Sequence, residues 1–286
     1  MDPVSIRRLI IKALFSDDLL LEQLVLKGGN ALNLVHRIGS RSSLDVDLSL
    51  EGDFPDIGSA QERILGTLER RFAAEGLLVF DENFREVGLV GPNPQTQENA
   101  KWGGYLITFK VIEGERFHDL GGDFKRAQRQ ALITGPNQER NFTVQISKFE
   151  YCAGKTEANF DEYLIFVYTP AMIALEKLRA VCQQMPEYLL RRQKTARARD
   201  FYDIHAITTC KQIDFSSPET HEMTRRIFEA KIVPLRLMAR LRDYREFHRQ
   251  DWPQVENAVS SSLETFDYYF DFVLEQVELL KPLWIE

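Results

Sequence analysis

Histidine is scarce, five in 286 residues, and His36, His118, His205, His221 and His248 never stand at H-x-x-x-H or His/Cys spacing, so the chain carries no recognisable zinc motif. Cysteine is scarcer. Cys152, Cys182 and Cys210 are odd in number and form no C-x-x-C, which argues against a disulfide framework and fits free thiols in a reducing cytosol. No apolar run approaches the roughly 20 residues that a bilayer crossing needs. Positive charge is also short: 36 Lys and Arg against 43 Asp and Glu give a formal charge of −7. That balance argues against a protein that coats nucleic acid indiscriminately and leaves room only for a local basic patch. There is no internal repeat and no low-complexity tract.

What is present is an ordinary globular composition, 44% hydrophobic, long enough for one large domain or two modest ones. The opening MDPVSIRRLIIKALF reads as an amphipathic helix rather than a secretion signal, because Lys12 interrupts its apolar stretch and no small-residue cleavage site follows. A cytoplasmic, non-membrane protein is the expectation.

Apolar positions at helical spacing predict one or two helices over residues 4–25 and another from the glycine pair to Gly39. At residues 43–50 the period changes to two. Leu44, Val46, Leu48 and Leu50 alternate with Ser43, Asp45, Asp47 and Ser49, the pattern of a half-buried strand with both carboxylates on one face. A helix over 58–76 follows, then strands near 77–80, 105–112 and 142–149, with Pro-, Gly- and Asn-rich loops at 91–104 and 134–141. From Thr169, a cap residue followed by a proline suited to a first helical turn, the pattern is almost wholly helical. These shifts divide the chain into residues 1–165 and a helical domain over 166–286.

The chemistry concentrates in KGGNAL and SLDVDL. Glycines opening a helix bring backbone N–H groups close to an anion such as a phosphate, although a Gly-Gly pair also serves as a plain turn. Asp45 and Asp47 crowd like charges on a strand. Mg²⁺ takes one or two carboxylates and completes its shell with water and substrate phosphates, so D-x-D suits a nucleotide-borne metal; a solvated acidic strand face is the bland alternative.

Helix, h-G-G/S, helix and then D-h-D/E-h resembles the DNA polymerase β-like nucleotidyltransferases. More narrowly, KGGNAL followed by RSSLDVDL resembles the AbiEii/AbiGii toxin group, with Arg41, Ser43, Asp45 and Asp47 at matching positions. A second match lies about 130 residues downstream: Glu176, Lys177, Leu178 and Ala180 fit the E-K-L-x-A helix of that group, and Arg199, Asp200 and Asp203 fit its K/R-D-x-x-D segment. The resemblance covers roughly residues 5–210 and implies an α/β (α+β) nucleotidyltransferase domain with a mixed sheet, followed by a helical domain that closes over the nucleotide.

The resemblance further implies that Asp45 and Asp47 hold Mg²⁺, that Gly28, Gly29 and Ser43 contact the nucleotide, and that Lys177 steadies its triphosphate. Asp200 would then orient or deprotonate the acceptor. An NTP substrate, an RNA acceptor such as tRNA, a cognate antitoxin and a role in toxin–antitoxin or phage-defence systems come with it. Read from the residues alone, Lys177 lies in an apolar helix and needs an anion, which a triphosphate or a nearby acid would supply. One departure stands out: where the superfamily places a third carboxylate, the strand FTVQISKFE carries Gln145, with Glu150 further along. An amide cannot accept a proton as a carboxylate does. Finally, Arg236, Arg240, Arg242, Arg245 and Arg249, with Arg191, Arg192, Lys194, Arg197 and Arg199, offer a positive wall for RNA or a solvated face interleaved with acids.

Overall fold

The computed structural model describes residues 2–38, 44–88, 103–135, 138–259 and 263–285. Arg41 and Ser43, and most of the loop expected at 91–104, lie outside the described residues.

The expected amphipathic helix is α1 (Pro3–Phe15), capped by the Asp2 carboxylate on the N–H groups of Val4 and Ser5. It is followed by α2 (Asp18–Gln23). The last apolar residues of that stretch are not helical. Leu24–Lys27 form β1, buried throughout, between an antiparallel and a parallel neighbour. A strand covered on both faces shows no alternation, which hides it in a helical reading.

The glycine pair opens α3 (Gly28–Asn30), which runs into a π-helical turn at Ala31–Val35. The strand expected over 43–50 starts later, as β2 (Val46–Leu50), with Leu44 exposed at 42%. Asn30, itself buried, donates from its side-chain amide to the Asp45 carbonyl at 2.5 Å, so the backbone at Asp45 bonds to the helix instead of the ladder. Then come α4 (Ile57–Ala74), β3 (Leu77–Val87), β4 (Gly104–Glu113), the short helices α5 (Gly114–Asp119) and α6 (Phe124–Gln130), and β5 (Phe142–Ser147). A hairpin follows, β6 (Thr156–Phe160) with β7 (Tyr163–Val167).

These strands form one mixed seven-stranded sheet in the order β3-β4-β5-β2-β1-β7-β6. The two parallel contacts, β2 with β5 and β1 with β7, flank the central antiparallel pair of β1 and β2. Helices α1 and α4 cover the face that carries Val46, Leu48, Val144, Ile107 and Phe109, and the Phe72 ring of α4 meets Phe109 edge-on with centroids 5.9 Å apart.

The helical half begins where expected. Helix α7 (Pro170–Cys182) starts on the Thr169 cap, whose hydroxyl accepts from the Met172 N–H at 3.3 Å. It is followed by α8 (Ala198–Lys211), α9 (Pro218–Ala230), a 3-10 turn region over Leu235–Tyr244 and helices at Arg245–Arg249, Trp252–Ala258, Phe266–Leu279 and Pro282–Ile285. One apolar core runs from Ile6 of α1 through the sheet to Leu283. Among the described residues no helix is long and apolar enough to cross a membrane.

Candidate active site

Three local devices bring the glycine pair against the acidic strand. Lys27 ends β1 directly opposite Asp47 in the β1–β2 ladder, so the turn at Gly28 starts beside that carboxylate. Gly28 has φ +66°, a left-handed conformation that glycine adopts without strain. A Cβ at Gly28 would stand 2.5 Å from Asp47 Oδ2, so only hydrogen fits there. Lys27, the residue before α3, gives no side-chain cap, so among the described residues it leaves the first N–H groups of that helix to another acceptor.

Asp45, Asp47, Gly28, Gly29, Lys177 and Asp200 line a single cleft of about 320 Å³. Two sequence matches separated by about 130 residues therefore meet in space. The volume lies at the lower end of the range for small-ligand pockets. Lys27, Glu176, Arg197 and Arg199 complete its charged wall.

Burial sets the titration of the two strand acids. Burial pushes the Asp47 carboxyl up to about 6; Lys27 opposes this, while Glu176 and Asp45 add to it. Asp45 is raised for the same reason, against hydrogen bonds from Thr143 and Gln145. Gln145 lies opposite Asp47 in the parallel ladder and donates to Asp45 Oδ2 at 3.2 Å. The position expected to be acidic thus does adjoin both acids, as an amide.

Lys177 is not left seeking a phosphate. Its ammonium donates to Asp200 Oδ1 at 3.0 Å and Asp203 Oδ2 at 2.7 Å, and its side chain is 14% exposed. Burial opposes its charge, yet Asp200 and Asp203 hold it above the ordinary lysine range. Asp200 is also bonded by Arg197 Nε. Despite burial, Arg197 and Lys177 keep the Asp200 carboxyl well below the usual carboxylate range, which makes it a weak proton acceptor.

Behind the cleft lies a buried ionic cluster that the sequence reading did not assemble. Glu150, 4% exposed at its side chain, receives Arg179 Nη1 at 2.7 Å and Lys27 Nζ at 3.4 Å, with Lys231 Nζ 3.5 Å away. Lys27 also donates to Glu176 Oε1 at 2.6 Å. Glu150 is thereby fully engaged by cations and does not line the cleft, so it is no substitute for the missing third carboxylate. The only sequence hint was the Glu176–Arg179 spacing on one helix face.

Four of the five C-terminal arginines are ion-paired, as a solvated face would have them, while Arg236 is exposed and makes no ion pair with a described residue. Arg240 pairs with Asp243 and Glu187, Arg242 with Glu278, Arg245 with Asp267 and Asp271, and Arg249 with Glu246 and Asp267. His205 packs against the rings of Tyr268, Tyr269 and Phe272, in keeping with a structural role.

The family described as nucleotidyl transferase AbiEii toxin, Type IV TA system, matches residues 9–276. The chain belongs to that family. It is a nucleotidyltransferase, and the mixed α/β sheet with its helical half is the fold expected for one. Similar solved structures include one from H. pylori assigned as a nucleotidyltransferase, at 14% identity over 98% of this chain and 94% of that one, with a TM-score of 0.46. Another is an antigenic nucleotidyltransferase-like protein from Paracoccidioides brasiliensis, at 14% identity over 79% of this chain and 89% of that one, with a TM-score of 0.36. No curated protein matches the chain.

Proposed function

We propose that the chain transfers a nucleoside monophosphate from a magnesium-bound NTP to an RNA acceptor, tRNA among the candidates, and acts as the toxin of a toxin–antitoxin or phage-defence pair with a cognate antitoxin. The observation that carries this reading is the convergence of Asp45, Asp47, the uncapped Gly28–Gly29 turn and Lys177 on one cleft. A boundary near residue 165 would divide the nucleotide-binding half from the helical half, which supplies Lys177.

The donor set fits a metal that arrives with its nucleotide. Two neighbouring half-buried carboxylates, one of them pushed up to about 6, are too few for an all-protein cage but sufficient for Mg²⁺ that keeps phosphate and water ligands. Asp45 and Asp47 would hold it, and when bound it would neutralise phosphate charge and polarise the α-phosphorus. Gly28 and Gly29 offer N–H groups to phosphate oxygens, and Ser43 would add a hydroxyl. Lys177 supplies positive charge to the transferring group. Asp200, with Asp203, positions that ammonium; the low basicity of Asp200 favours this role over deprotonating the acceptor. Catalysis is then placement plus electrostatic stabilisation of an in-line attack, with pyrophosphate leaving.

The test incubates the protein with each α-labelled nucleotide and a cell extract, then digests with ribonuclease or protease, beside Asp47→Asn and Asp45→Ala. Ribonuclease-sensitive label that disappears in both variants supports the reading. Label released only by protease assigns a protein acceptor, and label in neither polymer points to a small molecule. A second reading, a silent nucleotide-binding module, is favoured by Gln145 alone; it wins if nothing is labelled while Asp45→Ala retains the cellular effect.

A further inference from the structure

Among the described residues, the sheet face that carries the site is only partly covered between the cleft and the helix pair α5–α6. Asp47 pairs laterally with Gln145, and Gln145 with Leu106, so these three share one face. With period two along each strand, Thr143 of β5 and Thr108, Lys110 and Ile112 of β4 share it as well. Leu106, Thr108 and Thr143 are half-buried and Gln145 is exposed, which leaves a polar floor open to solvent.

At its far end this floor passes under α5–α6. Ile112 and Phe80, the latter opposite Lys110, form a small separate core with Leu120, Ala127 and Ala131. Direction follows from the pairing: β4 is antiparallel to β5, which is parallel to β2, so the end of β4 lies where β2 begins at the aspartates. Ile112 is four residues beyond Thr108, the partner of Thr143, or about 13 Å along the strand. The helix pair therefore stands on the same face and at the same end of the sheet as Asp45.

Lys125, Arg126 and Arg129, within about one turn of one another on α6, are exposed and make no ion pair with a described residue. Arg116 of α5 is tied to Gln130 of α6, Nε to Oε1 at 2.7 Å, which joins the two helices. The segment also holds Glu115, Asp119 and Asp123, and Asp123 caps α6 by accepting from the N–H groups of Lys125 and Arg126. Phe124, 55% exposed, leans on the Phe117 and Phe80 rings beside these cations.

We propose that α5–α6 is a docking arm for the acceptor strand: RNA lies across the open face of β4 and β5, its phosphates meeting Lys125, Arg126 and Arg129 while its reactive end enters the cleft. Unpaired cations beside an exposed ring, a polar floor and a nearby transfer site form a surface complementary to single-stranded RNA. This rests on the RNA-acceptor reading above.

The test measures anisotropy of a labelled single-stranded RNA and of tRNA with the full chain across a salt series. The variants are Lys125→Ala/Arg126→Ala/Arg129→Ala and the charge-keeping Lys125→Arg/Arg126→Lys/Arg129→Lys. The neutral variant is expected to bind RNA at least about tenfold more weakly, with a log K against log salt slope shallower by about 2, since three phosphates contribute roughly 0.7 each. The charge-keeping variant is expected to bind as wild type. If the neutral variant keeps wild-type affinity and slope, the arm serves another partner, such as an acidic protein face, and this inference falls while the RNA reading stands. If wild type binds no RNA and labels none, both fall together.

Discussion

Gly28 and Asp47 share a space that admits only one side chain. A Cβ at Gly28 would meet Asp47 Oδ2 at 2.5 Å, and the φ of +66° adds strain for any other residue. Gly28→Ala is therefore expected to displace the carboxylate, lowering transfer at least about a hundredfold and destabilising the fold by roughly 1–3 kcal/mol. Single-turnover rates and thermal melting check it, and a variant with wild-type rate would show that Asp47 need not sit against the turn.

Asp47 gives a pH dependence with a definite sign. Its folded-state pKa of about 6 lies above the ordinary 3.8, so the neutral form favours the fold; that contribution is complete below 3.8 and lost as pH rises through 6. Without metal, Asp47→Asn is expected to melt about 2–5 °C higher than wild type at pH 7.5, with the gap closing toward pH 4. Wild-type affinity for magnesium nucleotide should fall below about pH 6, where protons compete for the carboxylate. Melting curves and nucleotide titrations at several pH values test both halves.

Lys177 neutralises the buried Asp200 and the half-buried Asp203 as well as facing the cleft. Lys177→Met should cost about 3–5 kcal/mol by leaving Asp200 and Asp203 undercompensated. Lys177→Met/Asp203→Asn removes one charge of each sign and is expected to regain most of that stability without regaining transfer. Recovery of activity in the double variant would reduce Lys177 to a structural lysine.

Gln145 tests the missing third carboxylate. Gln145→Glu places an acid beside Asp45 and opposite Asp47, so it should raise the pKa of both and weaken the metal-free fold slightly. If a base is what the site lacks, the rate with an RNA acceptor rises several-fold above pH 8. An unchanged or lower rate would place proton removal elsewhere.

Where period and capping dominate, the sequence is transparent: the Thr169–Pro170 start of α7, the helix over Ile57–Ala74 and the alternation of β2 all fall near their expected places. Strand β1 was hidden because a strand buried on both faces has no alternation, and the β6–β7 hairpin because its outer positions are only partly covered. Gly28, Gly29, Asp45, Asp47, Lys177 and Asp200 of the two motifs line the cleft, but the motifs do not reveal how Lys177 is balanced. That depends on α7 packing on α8 so that Lys177 reaches Asp200 and Asp203, and on Lys27 facing Asp47 through strand register, neither of which local spacing encodes. Glu150, Arg179 and Lys231 lie far apart in sequence, and only tertiary packing reveals that they share one buried contact.

That buried contact also bears on how the cleft behaves mechanically. Glu150 follows β5, Lys27 ends β1, Arg179 lies on the helix bearing Lys177, and Lys231 follows α9, so a hinge between the halves would tear four ions apart in a dry interior. The jaw holding Lys177 is bolted to its anvil rather than swung onto it. A cleft of about 320 Å³ held in this way would act as a fixed gauge, admitting by size what slides in.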